Sequence, residues 1–362
     1  MDKNKITAIV VDDSPLMRKI ITDILNNSGK VRVLDTAMNG QAALQKIEAL
    51  NPDVITLDVD MPIMDGFTCL KKIMDARPRP VIMLSGLTQE GALLTIRCLE
   101  AGAFDFVSKP LGGLSKDIEK VAEEILEKVI EAFNNKNRIA IKKMAQKKDE
   151  AAAAAISADK KNGMARPAAG ASSCVVGIGI STGGPVALRQ VIPLLPPDFP
   201  GTVLVQHMPD TFTKAFAQRL DTESQVEVKE AEDGDLIKVG RVLVAPGNFH
   251  VRVKKDRGFL RVCLSKEDPV SGHRPSADVL FQSMAEEVGS RSVAVIMTGM
   301  GRDGATGIGL IKRAGGYAMA QDESSCTVFG MPKVAINEDA VNEVVTLSKI
   351  SSRLIAVSNQ KK

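Results

Sequence analysis

From Ile6 to about Phe133 the chain alternates short apolar runs with stretches in which apolar residues return every three or four positions. ITAIVV, VRVLDTA, DVITLDV, PVIMLS and FDFVS have the length and β-branched content of strands, and the stretches between them have the period of helices. The alternation predicts a parallel sheet with helices on both faces, because parallel neighbours need a crossover of about a dozen residues or more between them. Residues 1–133 are therefore expected to form a doubly wound, five-stranded parallel sheet.

Past Phe133 the periodicity stops. The segment NNKNRIAIKKMAQKKDEAAAAAISADKKNGMARPAAGASS is rich in Lys and Ala and carries no apolar face long enough to build a core. Its alanine run has helical propensity and its Gly, Pro and Ser end does not, so residues 134–172 are expected to be a flexible linker. A second α/β pattern fills residues 173–362, with strands expected at CVVGIGI, GTVLVQH, GRVLVAP and SVAVIMTG. Helical stretches are expected after Pro185, over Thr213 to Leu220, over Ala277 to Val288 and over Thr306 to Ala314. HVRVKKDRGFLRVCL reads as a hairpin turning at Asp256-Arg-Gly258, so this second, doubly wound sheet is expected to be mostly parallel with one antiparallel excursion.

Composition narrows the class. The chain has 362 residues, 25% of them charged and 44% hydrophobic, as in a two-domain globular protein, and no apolar run approaches the roughly 20 residues that span a bilayer. The N-terminus MDKNK leads into a strand without an apolar signal core, and five scattered cysteines show no CxxC spacing, which fits reduced thiols in the cytoplasm. The net charge of +3 owes much to Lys136 to Lys148, and no recognition-helix pattern accompanies it, so neither nucleic acid nor membrane insertion is expected.

In the first half, polar residues stand at the ends of the strands. Asp12 and Asp13 end the first, Asp58 the third and Ser85 the fourth, and Lys109 follows the fifth. Carboxyl ends of parallel strands share one edge of a sheet, so these residues converge on one acidic crevice. Clustered carboxylates repel unless a cation intervenes, and a few hard oxygen ligands suit Mg²⁺. With such an ion and Lys109 neutralising phosphoryl oxygens, one aspartate would be free to attack phosphorus.

The motifs VVDDSPLMR, LDVDMPIMDG, MLSG and FDFVSKP, over about residues 5 to 125, resemble the receiver domain of bacterial two-component response regulators, a flavodoxin-like fold. The resemblance implies that Asp58 is phosphorylated and that Asp12, Asp13, Asp58 and the backbone carbonyl of Asp60 surround Mg²⁺. It also implies that Ser85 and Lys109 contact the phosphoryl group and that Phe106 is a switch aromatic. Ser85 stands where the family often has Thr, which keeps the hydroxyl.

The second half opens on Gly177-Ile-Gly-Ile-Ser-Thr-Gly-Gly-Pro185 between a strand and a helix. As a dinucleotide loop it lacks the acidic residue wanted at the end of the next strand, which ends in Gln206-His207. The same letters contain Gly179-Ile-Ser181-Thr-Gly183, the GxSxG pattern that exposes a serine on a sharp strand-to-helix turn. A serine hydroxyl needs a base and the base needs an orienting acid. His207 ends the neighbouring strand, and Asp303 lies in the glycine-rich turn MTGMGRDGATG after another. Amides near Met300 and Gly301 are candidates for an oxyanion hole.

SxGG, VQHMP, VLVAPGNFH, SGHRPSADVLF and MTGMGRDGATG resemble, in order and wording, the catalytic domain of chemotaxis protein-glutamate methylesterases. That resemblance implies a Ser181, His207 and Asp303 triad with the Met300 amide in the oxyanion hole. The activity implied is hydrolysis of glutamate γ-methyl esters on helical chemoreceptor segments, with deamidation of selected glutamines, without a cofactor for the esterase step. A histidine kinase of the pathway is the implied phosphodonor. Asp58 phosphorylation is expected to open a cleft that the receiver covers, and His273, Arg274 and Arg302 are expected either to line that cleft or to serve their own loops. The rival from another class is a response regulator whose second domain binds a dinucleotide or a partner protein.

Overall fold

The structure, a computed structural model, describes residues 5–86, 88–109, 115–136 and 170–361. The chain divides into two compact units, Met1–Gly163 and Met164–Lys362. The expected linker lies almost wholly outside the described residues.

The first unit runs β1 (Ile6–Val11), α1 (Pro15–Asn27), β2 (Val31–Ala37), α2 (Gly40–Leu50), β3 (Val54–Asp58), α3 (Gly66–Ala76), β4 (Val81–Ser85), α4 (Gln89–Glu100), β5 (Asp105–Ser108) and α5 (Ser115–Asn134). Its five strands lie in the order β2-β1-β3-β4-β5, all parallel. β3 and β4 are buried at every position, as strands covered by helices on both faces must be. Strand-to-helix turns are set by local capping: Ser14, Asn39, Asp65 and Thr88 each accept a hydrogen bond from an amide in the first turn of the helix that follows. The strand order reverses between β1 and β3, which opens a crevice at their carboxyl ends.

The second unit runs β6 (Val175–Ile180), α6 (Gly184–Val191), β7 (Thr202–Gln206), α7 (Asp210–Glu223), β8 (Glu227–Glu230), β9 (Arg241–Val244), β10 (His250–Asp256), β11 (Phe259–Ser265), α8 (Ala277–Glu287), β12 (Ser292–Ile296), α9 (Ala305–Arg313), β13 (Tyr317–Gln321), α10 (Met331–Asn337), β14 (Glu343–Val345) and α11 (Leu347–Gln360). Seven strands form one sheet in the order β14-β13-β12-β6-β7-β9-β8, with every pairing parallel.

The antiparallel pair does not enter that sheet. β10 and β11 form a separate two-stranded ribbon whose turn residues, Arg257 and Gly258, both have positive φ, the signature of a tight hairpin. The ribbon is tied to α8 instead, where Ser283 Oγ accepts from the Val253 amide at 2.9 Å.

Two glycines of the β6 motif have a packing role. A Cβ at Gly177 would fall 2.6 Å from Met284 Sδ, and one at Gly179 would fall 2.8 Å from Ala277 Cβ. Helix α8 lies that close over β6, with Phe281 beside both glycines. β6 is thus held between β7 and β12 in the sheet and under α8, and the residue that follows it is fixed on three sides.

Candidate functional site

The two switch points of the two sheets carry different chemistry. In the first, Asp12 and Asp58 are buried and Asp13 is exposed, and a carboxylate oxygen from each lies within 4.8 Å of the others. Lys109 Nζ stands 2.8 Å from Asp12 Oδ2 and 2.8 Å from Asp58 Oδ2. These ion pairs are close but poorly aligned, so both oxygens are buried without a well-directed hydrogen bond. Burial pushes the Asp58 carboxyl up to about 6, against the pull of Lys109. The Lys109 ammonium is also opposed by burial, but Asp12 and Asp58 outweigh it and hold its pKa above the ordinary lysine range.

Three carboxylates facing one ammonium leave negative charge uncompensated, and hard oxygens with open lone pairs suit Mg²⁺. The Asp60 amide donates to Asp58 Oδ1 at 3.3 Å. Behind Asp58, a side chain at Gly66 would collide with the Asp58 carbonyl oxygen, which explains the glycine of MPIMDG. Ser85 ends buried β4, but its hydroxyl is engaged by Thr95 Oγ1 at 2.7 Å, a partner that the sequence pattern did not flag. Phe106 is buried in β5, its carbonyl accepting from Lys128 Nζ at 2.5 Å.

The second site assembles around β6. Ile180 and Gln206 are register partners on β6 and β7, so Ser181 and His207 follow side by side at the carboxyl edge, and the His207 amide donates to the Ile180 carbonyl at 3.1 Å. The Gln206 side-chain amide donates to the carbonyls of both Ser181 and His207 at 3.1 Å each, clamping the two segments. On the other flank, Thr298 follows β12 by two residues, its carbonyl accepts from the Ser181 amide at 2.9 Å, and its hydroxyl donates to the Thr182 carbonyl at 2.9 Å. Gly183 has φ of 79°, and a side chain there would strike Thr327. The small residues after the serine are required by that sharp turn.

Asp303 is buried and its carboxylate is saturated. Oδ2 accepts from His207 Nε2 at 2.7 Å and from the Ala277 amide at 2.6 Å, while Oδ1 accepts from Ser276 Oγ at 2.6 Å and the Asp278 amide at 3.3 Å. Burial alone would raise this carboxyl, but His207 and these donors outweigh it and hold the pKa below the usual aspartate value. An ionised carboxylate only accepts, so the His207 proton must sit on Nε2. That leaves Nδ1 as a bare acceptor, buried and without a partner. No hydrogen bond joins it to the Ser181 hydroxyl in this structure.

His273 stacks on His207 with ring centroids 3.8 Å apart and planes 14° from parallel. Arg274 is a loop strut: Nε and Nη2 donate to Asn248 Oδ1 at 3.2 and 2.6 Å, and Nη1 to the carbonyls of Lys266 and Glu267 at 3.1 and 2.9 Å. Arg302 is exposed and pairs with Glu338 at 3.2 Å. The Met300 amide makes no hydrogen bond among the described residues, and a side chain at Gly330 would approach the Met300–Gly301 peptide.

Comparison with known proteins agrees with both halves of this picture. A family model described as the response regulator receiver domain matches residues 8–121, and one described as CheB methylesterase matches residues 176–354. The class is thus a receiver preceding a methylesterase. A protein-glutamate methylesterase/protein-glutamine glutaminase of Koribacter versatilis is 49% identical over 363 residues, covering 99% of this chain and 98% of that protein. One of Sulfurimonas denitrificans is 44% identical over 357 residues, covering 99% of each. Among solved structures, the Thermotoga maritima CheB methylesterase catalytic domain matches with 46% identity and a TM-score of 0.50, over 51% of this chain and 97% of that one. The chain belongs to the family of protein-glutamate methylesterases/protein-glutamine glutaminases, which are hydrolases. No helix among the described residues is long and apolar enough to cross a membrane.

Proposed function

We propose that this chain hydrolyses glutamate γ-methyl esters on the cytoplasmic helices of chemoreceptors, and deamidates selected glutamines there, at a rate set by phosphorylation of Asp58. The observation that carries the catalytic reading is the state of His207: Nε2 is held by Asp303 at 2.7 Å, and Nδ1 is a buried, unpartnered acceptor beside the strand end that bears Ser181.

When substrate fills the cleft, Ser181 Oγ turns to His207 Nδ1, gives up its proton and bonds to the ester carbon. Asp303 stabilises the imidazolium, and the Met300 amide donates to the oxyanion. As the tetrahedral intermediate collapses, the Nδ1 proton passes to the departing methoxide, or to the departing amine of a glutamine, releasing methanol or ammonia. A water then loses a proton to Nδ1, attacks the acyl carbon and frees a glutamate and Ser181. His273, stacked on His207, holds the ring plane between these transfers.

In the first unit, Asp58 is the nucleophile towards a phosphoryl group supplied by a histidine kinase of the pathway. Asp12, Asp13, Asp58 and the Asp60 carbonyl would hold Mg²⁺, which when bound offsets the charge of the phosphoryl oxygens. Lys109 supplies a second positive charge, and the Ser85 hydroxyl, while still accepting from Thr95 Oγ1, turns its own proton from the Gly86 carbonyl to a phosphoryl oxygen. A dinucleotide-binding reading of the second unit is disfavoured by α8, which fills the space over Gly177 and Gly179.

The test is methanol release from methylated receptor by the full chain, with and without a phosphodonor. Ser181→Ala is expected to lower release by about 10⁴-fold or more while the protein stays folded. Release at the wild-type rate would refute the assignment.

A further inference from the structure

Helices α8 and α9 exchange caps. Asp303 lies two residues before α9, yet its carboxylate receives the Ala277 amide at 2.6 Å and the Asp278 amide at 3.3 Å, both in the first turn of α8. Asp278, the second residue of α8, returns the arrangement: its Oδ1 accepts from the Gly307 amide, in the first turn of α9, at 2.7 Å. The first amides of a helix have no partner within it and carry the positive end of its dipole, so α9 is closed by a carboxylate from α8, and α8 by its N-cap Ser276 together with a carboxylate from the turn leading into α9.

Among the described residues no other side chain is seen to cap α9. Its N-cap position is Gly304, with φ of 87° and no side-chain hydrogen bond. The two helix starts also touch: a Cβ at Gly307 would lie 2.8 Å from the Asp278 carbonyl oxygen and 2.8 Å from Phe281 Cβ. A shift of α9 along α8 would therefore break the Asp278–Gly307 bond and carry Asp303 away from His207 together.

We infer that Asp278 is a positioning residue for esterase chemistry: by capping α9 it fixes Asp303 against His207 Nε2, although it touches neither the imidazole nor the substrate. The inference rests on the reading of Asp303 as the acid that orients His207. Asp278 takes no proton in the reaction, and its contribution is geometric.

The test uses the full chain and follows methanol release, separating kcat from KM, together with the low-field proton NMR signal of the His207–Asp303 hydrogen bond. Asp278→Ala is expected to lower kcat on the order of 10- to 100-fold with KM unchanged, and to weaken that signal. Asp278→Asn keeps an oxygen that accepts from Gly307 and should restore kcat to within about threefold of wild type. Asp221→Ala, which removes a carboxylate that accepts from the Val228 amide at 2.8 Å on α7, is the control for lost stability and should leave kcat unchanged.

Wild-type kcat and an intact signal in Asp278→Ala would overturn the inference even if the protein were less stable. Should that variant not fold, Asp278→Glu decides, since it keeps charge and acceptor but displaces them by a methylene. A lowered kcat there supports positioning, and a wild-type kcat overturns it. Asp303→Asn separates the two readings. If that variant is as active as wild type, the relay itself is wrong; if it is inactive while Asp278→Ala is unaffected, only the role of Asp278 fails.

Discussion

Asp58 and Asp303 are both buried aspartates at the carboxyl edge of a parallel sheet, yet their carboxyls are displaced in opposite directions, one up to about 6 and the other below the ordinary value. The difference lies in what the oxygens already hold. Asp58 has an ion pair with Lys109, one long bond from the Asp60 amide and a lone pair without a well-directed donor. Asp303 has four donors at 2.6 to 3.3 Å, two of them backbone amides at the start of a helix. A carboxylate kept short of partners is available to a cation and an electrophile, whereas one saturated with donors can only orient its neighbour.

The comparison predicts that the two residues fail in different ways. Asp58→Asn should abolish incorporation of phosphate from a small phosphodonor, and removing divalent cations with a chelator should do the same to the wild type. Unchanged labelling in either case would break the comparison on the receiver side. Asp303→Asn should take no phosphate label away but should lower methanol release by about 10³- to 10⁴-fold, because an amide can present its NH₂ to His207 Nε2 and favour the wrong tautomer. A similar loss of labelling would show that the sites are not independent in their chemistry.

A smaller effect concerns the neutral hydrogen bonds that fasten the second site. Gln206→Leu removes the clamp on the Ser181 and His207 carbonyls and should lower kcat about tenfold with little change in KM, measured by methanol release. The smallest effect concerns acid stability. Because the folded-state pKa of Asp303 lies below its unfolded value, its stabilisation is present above the unfolded pKa of about 4 and is lost as pH falls through the folded one. The Asn variant should therefore show a shallower loss of stability below about pH 4 in denaturant titrations, and an unchanged slope would contradict the saturated environment.

Much of the architecture was legible because function and fold use the same positions. Asp12, Asp13, Asp58, Ser85, Ser181 and His207 stand at or next to the ends of apolar runs, so a strand assignment also placed them on an edge. Strands β8, β13 and β14 escaped that reading. EVKE has one buried apolar residue, YAMAQ has no β-branched residue, and EVV is three residues long. Helix α11 hides its buried stripe of Leu347, Ile350, Leu354 and Val357 among serines.

In the candidate sites, the polar groups at the strand ends could be read and their fastenings could not. Gln206, Thr298, Ser276 and Asp278 act through hydrogen bonds across segments distant in sequence, and only strand register and helix contact bring those segments together. The glycines of GIGIS have a role that the sequence did not show: the space above them belongs to Phe281 and Met284. Arg274 is held in its own loop, where all three of its guanidinium nitrogens donate, to Asn248, Lys266 and Glu267.

The account depends most on Ser181 becoming covalently acylated while His207 accepts its proton at Nδ1. Rapid acid quenching of the full chain during turnover of a glutamyl methyl ester peptide, followed by mass spectrometric peptide mapping, tests this directly. The account predicts a glutamyl adduct on the peptide containing Ser181, absent from Ser181→Ala. An adduct on another residue, or full methanol release from the Ser181→Ala chain, would contradict it.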